Sequence, residues 1–143
     1  MAYINKLLTV FDVMQLVAIK LSGKACLLRL QAPAVAGLKG MVHRAAGQLI
    51  IDVSPGLEDD LMLKVFLHEV AHAKLHSFEP TQLSSYPSGS IKDHRKSEGA
   101  SWCNTTQEAQ ADSLADKWLR WGETHRDEQL PAFEGVLTAL LDI

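Results

Sequence analysis

The sequence predicts an α+β domain in which a small antiparallel or mixed sheet packs against several helices. The 143-residue chain has 47% hydrophobic and 22% charged residues, which are ordinary values for one globular domain. Two extended segments flank a turn at Ala46–Gly47, and the second of them, Gln48–Val53, is rich in β-forming residues. Apolar residues recur at helical spacing on both sides of these segments. We therefore expect a single domain over residues 1–143.

The first predicted helix lies within residues 4–21, and a short apolar strand at 25–30 follows it. The apolar residues at helical spacing are Leu7, Leu8, Phe11, Met14 and Leu21. Gly23 marks the expected end of the helix. Asp12 and Lys20 interrupt the apolar run, which favours an amphipathic core helix over a signal peptide or a membrane span.

The second predicted helix begins directly after the hairpin strand Gln48–Val53. Ser54–Pro55 indicates an N-cap followed by proline at the first helical position, and acidic residues at 58–60 suit a first helical turn. This helix is expected to run to about Ser77. Residues 78–104 show no sustained period and predict a long surface excursion.

Two further helices are expected in the C-terminal part of the chain. The first runs from about Thr105 to Trp121 and ends at Gly122, and the second starts near Pro131. Trp118 and Trp121 are interpreted as packing residues, and Cys103, His43 and His125 as structural.

The stretch FLHEVAHAKLH, residues 66–76, places three histidines and a glutamate in an apolar part of the second helix. His68 and His72 lie about 6 Å apart along the axis and about 40° apart around it, so their imidazoles can converge on one ion. A catalytic zinc site needs three protein ligands and an open position. Glu69 is turned about 100° from His68, where its carboxylate can act as a general base rather than a ligand.

Spacing excludes two other assignments around this motif. His76 lies about 12 Å along the helix axis from His68 and cannot easily share its ion. The metzincin pattern requires a glycine and a third histidine where this chain has Leu75 and Phe78. The third ligand must therefore come from another element.

Glu108 is the best candidate for that third metal ligand. Asp112 lies one helical turn later on the same face, where it could accept the second N–H of a ligand histidine. Each residue has an alternative role: Thr105-x-x-Glu108 also matches a capping box, and Asp112 could be a solvated helix residue. The two histidines could likewise be hydrogen-bonded core residues.

Together, these motifs resemble the ImmA/IrrE metallopeptidases over residues 45–118. A strand precedes His68-Glu69-x-x-His72, and Glu108-x-x-Ala111-Asp112 follows on a later helix. The resemblance implies a zincin-like minimal metallopeptidase fold, Zn²⁺ on His68, His72 and Glu108, and Glu69 as the catalytic base. It also implies an endopeptidase that cleaves a protein or peptide, such as a separate DNA-binding repressor of a phage, mobile element or stress response. The chain departs from the family at Ala71, where a glycine is usual.

The composition narrows the partners and the compartment. A net charge of −3 and a pI near 6.0 give no basic footprint, so no direct nucleic-acid contact and no membrane are expected. Cys26 and Cys103 lie far apart and indicate reduced thiols in a cytoplasmic protein. The sequence does not indicate an oligomeric state.

Two other functional classes remain open at this stage. One is a catalytically silent binding module that keeps the zincin fold, and the other is a metal-free helical protein. For the peptidase, we expect an extended substrate beside the strand Gln48–Val53 at a sheet edge, with residues 78–104 as a lid. Candidate oxyanion-stabilising residues are Tyr86, His94 and Arg95.

Overall fold

The computed structural model of the protein describes residues 9–33, 37–76, 82–83 and 101–143. The helices are α1 (Val10–Ser22), α2 (Asp59–Leu75), α3 (Thr105–His125) and α4 (Ala132–Leu140). The strands are β1 (Leu27–Leu30), β2 (Gly40–Ala45), β3 (Gln48–Val53), β4 (Gln82–Leu83) and β5 (Ser101–Trp102). The predicted α+β class, with a small mixed sheet and several helices, is confirmed.

The main sheet has the strand order β1-β3-β2, with β1 parallel and β2 antiparallel to β3. The predicted hairpin is confirmed: Ala46 and Gly47 join β2 to β3 with φ values of 52° and 78°, as a two-residue primed turn requires. Because β3 is paired on both sides, it is the central strand. The expectation that a peptide docks beside Gln48–Val53 at a sheet edge is therefore wrong.

The excursion between the second and third helices contains more regular structure than its composition predicts. β4 and β5 pair in parallel and form a second, two-stranded sheet. The proposed lid otherwise falls on residues outside the described ranges, as do Tyr86, His94 and Arg95.

Helix α1 ends as predicted, because Gly23 closes it in the left-handed conformation with φ +69°. Its start at Val10 lies later than the predicted start near residue 4, and Thr9 and Asp12 form a capping box there that the sequence analysis did not identify. Met14 and Leu21 lie in the core, whereas residues 7 and 8 are outside the described part of the chain.

Helix α2 begins four residues later than predicted. Pro55 and Gly56 form a turn in which Gly56 has φ +78°, and Glu58 becomes the N-cap. Ser54 directly follows β3, and its N–H donates to the carbonyl of Lys39, the residue before β2. The predicted N-cap at Ser54 is therefore wrong, because the glycine after the proline favours a turn over a helix.

The other end of α2 is fixed by a side chain from the loop after α1. The helix ends at Leu75 with His76 as its C-cap, and Ser77 is outside the described residues. The Lys24 ammonium donates to the carbonyl oxygens of Ala73 and His76. A cation at this position also complements the negative end of the helix dipole.

Helix α3 begins at Thr105, as predicted, but ends later than predicted. Asn104 is the N-cap and forms a capping box with Gln107, so the alternative of a box between Thr105 and Glu108 is wrong. The helix continues through Gly122 to His125. A Cβ atom at Gly122 would lie 2.8 Å from Cγ1 of Val136, so this glycine permits close packing of α3 on α4 rather than ending the helix.

The core lies between the helices and one face of the sheet. Its fully buried large side chains include Met14, Leu28, Ile51, Phe66, Leu67, Leu137 and Leu140. Trp118 is also buried, and the partly buried Trp121 packs against this core, as expected for packing residues. α2 contacts both the sheet and α3, so its second half is surrounded by protein.

Asp52 forms a buried ion-pair cluster on the other face of β3. Arg29 donates from Nε and Nη2 to its two carboxylate oxygens at 2.7 and 3.0 Å, and His43 Nε2 lies 2.7 Å from Oδ2. Burial raises the pKa of Asp52, but the hydrogen bonds from His43 and Arg29 outweigh it and hold the pKa below its ordinary value of 3.8.

We expect Asp52→Asn to lower the free energy of unfolding by about 1.5–3 kcal/mol at pH 7, because charged hydrogen bonds are lost. The folded pKa lies below the unfolded one, so the contribution is complete above the ordinary value of 3.8 and is lost as the pH falls through the lower folded value. Urea unfolding of both proteins at pH 7 and at about pH 3 tests this, because the difference between their free energies of unfolding should be smaller at the lower pH. A gap that does not change with pH would contradict the role given to the Asp52 charge.

Candidate metal centre

The second half of α2 places three polar side chains in the protein interior. His68, Glu69 and His72 are 1%, 0% and 0% exposed, and each offers a ligand atom within 4.8 Å of those of the other two. The imidazole rings of His68 and His72 lie edge to face, with centroids 4.7 Å apart. The spacing predicted from the sequence therefore brings these three residues close enough to bind a metal ion.

Glu108 reaches the same point from the first turn of α3. Its Oε1 atom lies 3.1 Å from Nε2 of His68 and 3.0 Å from Nε2 of His72. Because Asn104 and Gln107 cap the helix, the Glu108 side chain is not used as a cap. The structure thus brings together all three residues that the sequence analysis selected as ligands.

Asp112 lies behind His68, one turn along α3 from Glu108. Its Oδ1 atom is 2.7 Å from Nδ1 of His68, although 56% of the Asp112 side chain is exposed. The negative charge of Asp112 beside Nδ1 favours a proton on that nitrogen, and a neutral imidazole protonated there carries its lone pair on Nε2, which faces Glu108. This contact is an ion pair by distance, and it favours the tautomer that a metal ligand needs.

The charges of this cluster depend strongly on one another. Burial lowers the pKa of His68, but the hydrogen bond to Glu108 and the charges of Glu69, Glu108 and Asp112 outweigh it and raise the pKa to about 9. Burial raises the pKa of Glu108, yet the hydrogen bonds from His68 and His72 lower it to about 2. Without a metal ion, a cationic His68 thus balances the surrounding carboxylates.

A divalent cation fits this donor set. It could take the place of the His68 proton, because Nε2 of both histidines lies within 3.1 Å of the same Glu108 oxygen. Two imidazoles and a carboxylate are a normal first coordination sphere for an ion of this kind, and Asp112 supplies the expected partner for one imidazole. The fit rests on the geometry and chemistry of these four side chains.

We expect Asp112→Ala to weaken Zn²⁺ binding by about 10- to 100-fold, because His68 loses the carboxylate that lies 2.7 Å from its Nδ1 atom and favours the required tautomer. Asp116→Ala is the matched control, since Asp116 lies one turn later on the same helix, is 52% exposed and pairs with Arg120. Competition titration with a zinc chelator measures both affinities. Equal affinities in the two variants would show that Asp112 is an ordinary surface residue.

Glu69 lies where α2 meets the start of β2. A Cβ atom at Gly40 would come within 3.0 Å of Oε2 of Glu69 and 2.6 Å of Cγ1 of Val65, so a glycine is needed there. The Glu69 carboxylate also belongs to the cluster of ligand atoms with His68 and His72. These distances therefore permit Glu69 to act either as a general base or as a metal ligand, and they do not distinguish the two roles.

His76 lies outside the set of ligands, as the spacing predicted. Its ring is 5.3 Å from that of His72, and its Nε2 atom lies 3.3 Å from the carbonyl oxygen of Gln107. Burial and the neighbouring His72 lower the pKa of His76, which favours a neutral ring. His76 thus connects the end of α2 to the first turn of α3.

Cys103 is a residue of this region that the sequence analysis missed by treating it as structural. Its sulfur belongs to a second group of ligand atoms, with His72 and Glu108, that lie within 4.8 Å of one another. Burial and the charges of Glu108 and Glu69 raise the pKa of its thiol to about 12. The available signal was its position directly before the helix that carries Glu108.

Comparisons of the chain with protein-family models, with curated proteins and with solved structures gave no match. Within the described ranges, every helix is too short or too polar to cross a bilayer. The side chains of the candidate metal centre are therefore the features that bear on function.

Proposed function

We propose that the protein is a zinc-dependent endopeptidase of zincin-like fold, with His68, His72 and Glu108 as ligands. One observation carries the proposal: a single carboxylate oxygen of Glu108 lies within 3.1 Å of Nε2 of both histidines of the H-E-x-x-H motif. Two nitrogen donors and one oxygen donor leave the fourth position that a catalytic zinc site requires. The resemblance to ImmA/IrrE metallopeptidases supports the same ligand set.

Glu69 is proposed as the general base and then the general acid. A zinc ion in this site would supply Lewis-acid polarisation of the peptide carbonyl and lower the pKa of a water molecule. The Glu69 carboxylate would take a proton from that water and pass it to the leaving amine. Its complete burial beside Gly40 holds the carboxylate in one place for this transfer.

The remaining residues of the centre position the reacting groups. Asp112 orients His68 through Nδ1, and His76 ties the end of α2 to the helix that carries Glu108. The Lys24 ammonium caps the same end of α2. These contacts keep the ligands preorganised on two packed helices, which limits the reorganisation needed during catalysis.

The substrate we propose is a protein, and specifically a repressor-type regulator that binds DNA as a separate chain. This part of the proposal follows from the family resemblance, and the cytoplasm is the matching compartment. The net charge of −3 agrees with a partner, rather than this chain, making the DNA contacts.

A peptide library cleaved by the zinc-loaded protein, with new N-termini identified by mass spectrometry, tests the function. We expect cleavage that follows one sequence preference, stops on zinc chelation and is missing from Glu69→Gln protein prepared in parallel. Zinc binding without cleavage of either the library or candidate repressors would favour the silent binding module. A protein that binds no zinc would favour the metal-free helical alternative.

A further inference from the structure

Cys103 carries metal-ligand chemistry that the proposed mechanism does not use. Its sulfur lies within 4.8 Å of ligand atoms of His72 and Glu108, two of the three proposed zinc ligands. The residue is half-buried, and its thiol is not part of a disulfide. The question is what a thiol does beside the open coordination position of such a site.

We propose that Cys103 is a fourth, displaceable zinc ligand that closes the site in the resting protein. This inference rests on the proposed zinc site formed by His68, His72 and Glu108. The thiolate is a preferred zinc donor, and a site with four protein ligands is closed in the manner of structural zinc sites. A substrate carbonyl or a water molecule would have to displace Sγ before hydrolysis, so the resting enzyme is latent.

The distances are compatible with this fourth bond. Ligand atoms around a tetrahedral zinc ion with bonds of about 2.0–2.3 Å lie about 3.3–3.6 Å from one another. The Cys103 sulfur lies at most 4.8 Å from its two neighbours. Relative to these two neighbours it needs to approach by no more than about 1.5 Å, a side-chain adjustment rather than a change of fold.

The start of α3 holds Cys103 and Glu108 in one unit. Asn104, the residue after Cys103, forms the capping box with Gln107, and Glu108 follows directly. The same hydrogen bonds thus fix the backbone that carries both the carboxylate and the thiol. When Sγ binds the metal, its proton is released to solvent, and nothing is oxidised or reduced.

Cobalt substitution tests the proposal without a substrate. The full chain is loaded with Co²⁺, and its absorption spectrum is recorded for wild type, Cys103→Ser and Cys26→Ser. We expect wild type to show visible Co²⁺ bands and a strong near-ultraviolet sulfur-to-cobalt charge-transfer band. That band should disappear in Cys103→Ser and persist in Cys26→Ser, because Cys26 is buried beside Ser22 in another part of the protein.

The outcomes separate this inference from the proposed function. Visible Co²⁺ bands without a charge-transfer band in wild type, or a band that survives in Cys103→Ser, would overturn the role of Cys103 and leave the three-ligand site intact. A wild-type protein that binds neither Co²⁺ nor Zn²⁺ would overturn the zinc site itself. If the Cys103 variants do not fold, X-ray absorption of zinc-loaded wild type decides: a sulfur neighbour at about 2.3 Å supports the proposal, and a shell of nitrogen and oxygen alone overturns it.

Discussion

Replacing Glu69 with glutamine should lower kcat/KM for peptide hydrolysis by about 10²- to 10⁴-fold while zinc remains bound. Glutamine keeps the size of the buried side chain but cannot take the proton of the attacking water. The measurement needs a peptide cleaved by the wild type and the zinc content of both proteins. Retention of zinc is as informative as the lost rate, because Glu69 also lies in the cluster of possible ligand atoms.

The matched control for this variant is Glu58→Gln. Glu58 is the N-cap of the same helix, is exposed and makes no side-chain capping bond, so its loss should leave the rate and the zinc content unchanged. Loss of zinc from Glu69→Gln would make Glu69 a ligand rather than the base. An unchanged rate with zinc retained would remove Glu69 from the mechanism.

Glu108→Ala should weaken zinc binding by about 100-fold or more. Structural zinc in four-ligand peptides binds with about 10–16 kcal/mol, so one ligand accounts for about 3 kcal/mol. In this protein the Glu108 carboxylate also joins the two histidines, since its Oε1 contacts both Nε2 atoms. Chelator competition at fixed pH gives the affinity of each protein.

Glu123→Ala provides the comparison for Glu108→Ala. Glu123 lies on the exposed surface of the same helix, so its removal should not change zinc affinity. Circular dichroism of both variants shows whether α3 is still formed. A folded Glu108→Ala protein with wild-type zinc affinity would exclude the carboxylate from the coordination sphere.

The parts of the fold that depend on local signals could be predicted from the sequence. The glycine stop at Gly23 and the hairpin turn at Ala46–Gly47 each act within a few residues. The predictions were wrong where two local signals favoured different structures, or where a contact between residues far apart in the sequence determined the structure. The turn at Gly56 prevents Ser54 from acting as the N-cap of α2. Close packing on Val136 explains why Gly122 lies inside α3.

In the candidate site, too, the residues placed by local geometry could be predicted, whereas those placed by tertiary packing could not. His68 and His72 meet because helix geometry fixes residues four apart, and this needs no tertiary information. The approach of Glu108 depended on how α3 packs on α2, so the sequence could only nominate it. The central position of β3 and the proximity of Cys103 to His72 follow from the strand order and the chain path, which spacing does not encode.

The most direct test of the central claim is the zinc content of the wild-type chain. The protein is purified without added metal, offered excess Zn²⁺, dialysed and measured by elemental analysis, with His72→Ala treated in parallel. The account expects one zinc ion per wild-type chain and a clear loss in the variant, because His72 belongs to the proposed ligand set. A wild-type chain that holds no zinc after this treatment would contradict the peptidase and leave a metal-free α+β protein with a buried ion-pair cluster.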